Sequence, residues 1–237
     1  MQPDVICGAN AVAALFRRRP DDVLRLFYGG TMRGMAGPYC AALAKRRAPY
    51  RELGPEEMAK ATGTSHHGGI AAVAKPREVP FVDIEAPPKT KLLLVLDGVG
   101  NPHNLGAIAR SAVFFGVNAL LLHEQPGVAM LSDAAYRTAE GALEYMEVFR
   151  TKDLARALYG LTPHFRIAAA TLDAEAVPFE SLPRERNLAL VLGNEERGVS
   201  APVLAACRRQ VRIPAMGPVQ SLNVAQAAAV LLHGLTR

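Results

Sequence analysis

Two uninterrupted apolar runs constrain the fold most: residues 91–96, KLLLVL, and residues 188–192, LALVL. A strand that is hydrophobic on both sides belongs in the middle of a parallel sheet with helices on both faces. Residues 117–122 and 166–171 read as further strands and residues 146–149 as strand-like, while residues 105–115, 132–143 and 153–159 read as helices between them. A last β-like run, residues 211–213, passes through the loop 214–220 to Ser221 and then to residues 222–233, rich in Ala and Leu. Ser221 reads as the N-cap of that final helix. The helix is apolar on nearly every face, so it is predicted to be buried against its own sheet or a second subunit.

In open α/β sheets a ligand sits outside the carboxyl ends of the strands. Three predicted loops leave such ends: residues 97–104, 193–200 and 214–221, each rich in Gly, Asn or Pro. The first, opening Asp97-Gly98-Val99-Gly100, is neither a dinucleotide fingerprint nor a P-loop. His103 stands at the third glycine position, and no Lys-Ser/Thr pair follows. Asn104 falls where a helix N-cap belongs. At about 100° per residue, Leu105, Ile108, Ala109, Ala112 and Phe115 share one face, with Arg110 opposite, near Gly106. Arg110 is therefore a solvated residue or one that faces a ligand or partner.

The first 75 residues alternate differently. Residues 5–16 read as one helix, followed by Arg17, Arg18 and Arg19 and stopped by Pro20. This arginine triplet either complements the helix C-terminus or contacts phosphate. Residues 23–28, 50–53 and 70–74 read as strands, and residues 38–47 and the segment from Pro55 as helices. A glycine-rich loop carries Arg33. The loop 62–69 holds His66 and His67, whose opposed directions and lack of Cys or carboxylate partners argue against a metal and for an RNA-facing loop. The pattern predicts a small α/β sandwich at residues 1–75. Residues 76–90, with Pro76, Pro80, Pro87 and Pro88, read as a linker to a second domain, 91–237.

Half the residues are hydrophobic, enough for a substantial core, and the formal net charge is +5, which suits a polyanionic partner. Cys7, Cys40 and Cys207 are odd in number and form no CxxC, which points to a reducing cytosol, and thus a cytoplasmic protein, without a disulfide framework. No apolar run is long enough to span a bilayer, and the first ten residues do not read as a signal peptide.

Three segments together carry a resemblance: DGVGNPHNLGAIARSAVFFGV, LVLGNEERGVS and IPAMGPVQSLNVAQAAAVLL. In order, spacing and placement they resemble the motifs of the SpoU/TrmH family of RNA ribose 2′-O-methyltransferases, within the SPOUT superfamily. Residues 5–74 resemble that family's L30e-like substrate-binding domain. His67-Gly68-Gly69, Ile213-Pro214-Ala215 and Asn101 depart from the family's usual His-Gln-Gly, Ile-Pro-Met and Asp. The resemblance implies a parallel sheet with helices on both faces, a C-terminal trefoil knot, a homodimer through the catalytic domain and S-adenosylmethionine as cofactor. It implies Arg110 as the catalytic arginine, with Asn104, Glu195, Ser221 and Asn223 around it. Cofactor contacts fall on Gly193, Ile213, Leu222 and Thr171. RNA contacts are expected from Arg17, Arg18, Arg19, Arg33 and His67, and rRNA is preferred to tRNA. Two alternatives stay open: an RNA-binding assembly factor of the same fold without catalysis, and a base-methylating relative.

Overall fold

The computed structural model describes residues 2–183 and 187–237. In chain order the first elements are β1 (Asp4–Cys7), α1 (Ala9–Arg18), β2 (Val23–Tyr28), α2 (Arg33–Lys45), β3 (Tyr50–Glu52), α3 (Pro55–Thr62) and β4 (Ile70–Ala74). Then come β5 (Leu92–Asp97), α4 (Pro102–Phe114), β6 (Ala119–His123), α5 (Asp133–Ala139), β7 (Glu147–Thr151), α6 (Leu154–Leu161) and β8 (Arg166–Ala170). The chain ends with β9 (Val177–Pro178), β10 (Leu188–Gly193), α7 (Ala201–Ala206), β11 (Arg209–Arg212) and α8 (Val224–Leu235). These elements fall into two units. One holds residues up to Glu78 together with Leu131–Tyr145; the other holds Val79–Met130 and Met146–Arg237.

The first unit is built on a four-stranded sheet in the order β1-β4-β2-β3, antiparallel except between β2 and β3. Residues 5–16 do not form the single helix that their spacing predicts. Val5, Ile6 and Cys7 pair with β4, and α1 begins only at Ala9. Gly8, at φ 97°, makes the turn between them. A four-residue strand is too short for its period to stand out beside a ten-residue helix. The second helix also starts earlier than predicted: α2 begins at Arg33 and runs through Pro38. Proline there forfeits the hydrogen bond to Gly34. The loss is outweighed by packing, with Ala36 and Leu43 fully buried and Tyr39 stacked on Phe16 at 4.4 Å.

Segment 131–145 completes this unit. Asp133 Oδ1 accepts a hydrogen bond from Val5 N at 3.0 Å, and the short helical turn Ala142–Tyr145 lies against α1. Its Glu144 is buried and ion-paired with Arg19, Nε to Oε2 at 2.9 Å. Arg19 also binds Asp4 at 3.0 Å and the Lys75 carbonyl at 2.8 Å. Burial disfavours its charge, but the hydrogen bonds and negative charges of Glu144 and Asp4 outweigh that and hold the guanidinium above its ordinary pKa. The expectation that Arg19 contacts RNA is therefore corrected. Its donors are already spent inside the unit, where it neutralises a buried carboxylate. The free cysteine Cys7 is buried too, and burial pushes its thiol up to about 11.

The second unit is a seven-stranded parallel sheet in the order β7-β6-β5-β10-β8-β11-β9. Leu93, Val95, Ile167, Ala169, Ala189 and Val191 pack on Leu154, Leu158 and Leu161 of α6 and Val203 and Ala206 of α7. The alternate residues Leu94, Leu96, Leu120, Leu122, Leu190 and Leu192 are equally buried and point to the other face. There α8 lies on β10 and packs against α4. Both faces are covered, as the two continuous apolar runs require. Gly106, predicted with Arg110 on the outer side of α4, is instead buried, because α8 widens the covered arc. The stretch 80–82 runs beside β7, with Val82 N bonded to the Arg150 carbonyl at 2.9 Å. Among the described residues no helix is long and apolar enough to cross a membrane.

Replacing Arg19 by Ala leaves Glu144 buried without its partner. The expected cost is about 3–5 kcal/mol, read as a fall in the urea midpoint. A loss below about 1 kcal/mol shows that the cluster does not hold the unit together.

Candidate active site

Strands β6 and β7 lie to one side of β5, whereas β10, β8 and β11 lie to the other. The strand order thus reverses beside β5, the place where such sheets leave a crevice at their carboxyl edge. Registry pairs Gly193 with Asp97, so the loops after β10 and β5 leave the sheet at one level. Asp97 is almost fully buried and joins them. One carboxylate oxygen accepts from Ser200 N at 2.7 Å, and the other meets His123 Nδ1 at 3.1 Å. Asn194 makes the second tie, donating from Nδ2 to the Gly98 carbonyl at 2.8 Å.

The loop after β10 closes on itself through Asn194 and Gly198, whose backbone groups exchange hydrogen bonds at 3.0 and 2.9 Å. Gly193 makes that closure possible. A Cβ there would lie 2.2 Å from Gly198 C and 2.3 Å from Val199 N, both main-chain atoms.

A relay of amides runs across the three loops. Asn104 Nδ2 donates to Glu195 Oε1 at 2.5 Å, and Asn223 Nδ2 donates to Asn104 Oδ1 at 3.2 Å. Asn223 Oδ1 in turn accepts from Ala225 N at 2.9 Å, which caps α8. Two sequence expectations are corrected here. Asn223, not Ser221, caps the last helix, because the chain stays extended two residues longer. Asn101, not Asn104, caps α4: its side chain accepts from His103 N, with Pro102 at the first helical position. Asn104 is thereby free of capping and stands in the first turn, where it reaches Glu195.

Beside this relay lies a cavity of about 420 Å³, within the range of small-molecule sites. Gly193, Ile213, Leu222 and Thr171 all line it, as do Glu195, Glu196 and Ser221. Most of the other lining residues are aliphatic or glycine, Leu192 and Leu231 among them. Thr171 Oγ1 is buried and has no hydrogen-bond partner among the described residues. An unsatisfied buried hydroxyl in a cavity wall is costly and fits a site built for a polar ligand atom.

The three loops, their order and the flanking elements match known proteins over the whole chain. Residues 91–233 match the SpoU rRNA Methylase family, and residues 5–80 match the family described as RNA 2′-O ribose methyltransferase substrate binding. The chain belongs to the SpoU methylase family. It is 32% identical over 231 residues to a 23S rRNA (guanosine-2′-O-)-methyltransferase of Nitrosomonas europaea, covering 96% of this chain and 88% of that protein. It is 29% identical over 246 residues to the protein of the same name from Acinetobacter baylyi, covering 100% and 98%. The solved structure of a putative RNA methyltransferase of the TrmH family from Porphyromonas gingivalis superposes with a TM-score of 0.76 at 26% identity, covering 99% of this chain and 89% of that one.

The SpoU frame gathers most of the expected residues but not all. Arg110 is exposed on α4 and is not among the residues that line the cavity. In the other unit, Arg17 Nη1 reaches the Tyr145 hydroxyl at 3.4 Å, and the Arg18 guanidinium lies 5.7 Å from the centroid of the same ring. Arg33 opens α2 instead of sitting in a loop, and it pairs with Glu52 at 2.8 Å on the surface. His67 Nδ1 accepts from Gly69 N at 3.1 Å, which leaves Nε2 as the ring's donor. Sequence reasoning missed Asp97 and Asn194, the two residues that join the loops. A carboxylate closing an otherwise apolar strand, as in LLLVLD, is the signal that points to the first.

Gly193→Ala forces the loop after β10 apart. We expect a loss of about 1–3 kcal/mol in stability and faster hydrogen exchange at the Gly198 and Ser200 amides. Unchanged protection at both amides excludes the close approach as the reason for this glycine.

Proposed function

We propose that this chain is an S-adenosylmethionine-dependent RNA methyltransferase that modifies a ribose 2′-hydroxyl, with rRNA as the substrate. The observation that carries this reading is one cavity lined by Thr171, Gly193, Ile213, Leu222 and Glu195, with the Glu195 carboxylate anchoring the relay to Asn104 and Asn223. The names of the relatives support the ribose as target and rRNA as substrate. When bound, S-adenosylmethionine supplies a methyl group made electrophilic by its sulfonium.

The chain must align the acceptor oxygen and help it lose a weakly acidic proton. Arg110 is a poor base because its guanidinium stays charged. In this reading it clamps the phosphate beside the target and stabilises negative charge developing on the 2′-oxygen, with the phosphate as proton acceptor. Asn104 positions Arg110 or the ribose, and Glu195 sets the orientation of both through Asn104. Ser221 and Asn223 shape the site where methyl and hydroxyl meet. Main-chain groups around Gly193, Ile213 and Leu222 hold the adenosine, with Thr171 Oγ1 as a further polar contact. Arg17, Arg18, Arg33 and His67 belong to the RNA-facing surface of the other unit. The family's trefoil knot at the C-terminal segment is part of the same reading.

A homodimer through the catalytic unit also belongs to it. Phe114 at the end of α4 is 82% exposed, and Val230 on the adjoining α8 is 40% exposed. Apolar side chains on two packed helices suit a second copy of the chain. Phe114→Asp is expected to shift sedimentation from dimer to monomer. A wild-type chain that sediments as a monomer at every concentration rules the dimer out.

The main test is Arg110→Ala. Calorimetry should find S-adenosylhomocysteine bound within about twofold of wild type, while methyl transfer falls by about 100-fold or more. Mapping of 2′-O-methyl sites in RNA from cells with and without the protein then identifies the nucleotide. Full activity of the variant on that RNA rejects the role of Arg110. Absence of S-adenosylhomocysteine binding by the wild type rejects the enzyme.

A further inference from the structure

The amino edge of the second unit's sheet, opposite the cavity, carries a separate feature. Arg166 opens β8, Arg209 opens β11 and Arg208 precedes it. These strands are parallel neighbours, with Arg209 in register with Ala168, two positions after Arg166. The three arginines line a pocket of about 330 Å³ with Thr162, Phe165 and Pro183. Arg166 Nη1 spends one bond on the Pro183 carbonyl at 3.3 Å. No carboxylate pairs with any of the three among the described residues.

Arg19, Arg33, Arg46, Arg51 and Arg150 each have an acidic partner. Three guanidinium groups lining one pocket repel each other, and no carboxylate among the described residues offsets the repulsion. Arg208 and Arg209 are exposed, so their charge is directed at solvent and not at the core. Planar forked donors of this kind match phosphate oxygens.

We infer that Arg166, Arg208 and Arg209 form a second RNA contact, which grips the phosphodiester backbone at the amino edge of the sheet while the reaction takes place at the carboxyl edge. The choice of RNA as occupant rests on the function proposed above. Strands of this length span about 17–20 Å. A nucleotide seated at the cavity does not reach around that distance, but a folded RNA does. The site therefore makes the substrate a structured RNA domain that is held at two ends of the unit.

The test compares wild type with Arg208→Gln/Arg209→Gln and with the triple variant that adds Arg166→Gln. A labelled stem-loop RNA is titrated by fluorescence anisotropy over a range of KCl concentrations. Each phosphate contact contributes about 0.7–0.9 to the slope of log K against log salt. The double variant should lose about 1.5 in slope and about tenfold in affinity at low salt, with an unchanged melting temperature and unchanged S-adenosylhomocysteine binding. The double variant alters exposed side chains only, so it keeps the test valid even if the triple variant fails to fold. Wild-type slope and affinity in the double variant overturn the inference. So does tight binding of inorganic pyrophosphate at this site with RNA affinity unaffected, or loss of phosphatidylglycerol vesicle binding in place of RNA binding. Failure of the wild type to bind S-adenosylhomocysteine sinks the methyltransferase reading alone and leaves the RNA slope to be judged separately.

Discussion

The carboxylate of Asp97 holds the candidate site together. A parallel sheet brings its loops to one edge but does not by itself join them. Asp97 does so by ending β5 inside the protein and accepting from Ser200 on the neighbouring loop and from His123 at the end of β6. Asn194 adds the tie back to Gly98. With these loops fixed, Glu195 reaches Asn104, and Asn104 reaches the cap of α8. Each contact is a modest hydrogen bond, and their value lies in setting the relative position of three separate stretches of chain.

The two units use arginine in different ways. In the first, Arg19 is drawn inward to balance Glu144 and Asp4, so a residue that looked like a surface cation in its Arg-Arg-Arg context is part of the core. In the second, Arg166, Arg208 and Arg209 have no acidic partner among the described residues, and Arg110 stays exposed on its helix. A triplet of basic residues cannot reveal this difference, because the buried carboxylate that draws Arg19 inward, Glu144, lies 125 positions away in the sequence.

Much of the second unit was legible in the sequence. The runs KLLLVL and LALVL could be satisfied only by strands covered on both sides, and the Gly- and Asn-rich loops after them fell at the strand ends. The resemblance of those loops to SpoU motifs pointed to the residues that now line the cavity. What stayed hidden depended on distant partners. The strand β1 is visible only through its pairing with β4. The helix α2 tolerates Pro38 only because of what it packs against. The caps of α4 and α8 shifted because Asn101 and Asn223 lie where the extended chain actually ends. Pattern reading also joined Glu144 to the domain around it in sequence, whereas its buried charge belongs with Arg19.

That last pairing bears on how the chain matures. Residues up to Glu78 leave the ribosome before Leu131–Tyr145, and until then their unit lacks α5 and the buried counter-charge of Arg19. Translation at about 5–20 residues per second delays those parts by several seconds. During that interval Arg19 has, among the described residues, Asp4 and Asp22 as acidic partners but not Glu144, and β1 lacks the bond from Val5 to Asp133. The amino-terminal unit thus reaches its final form only once β5, α4 and β6 of the other unit have been made. Completion of the first unit therefore falls in the middle of the second unit's synthesis, between Met130 and Met146.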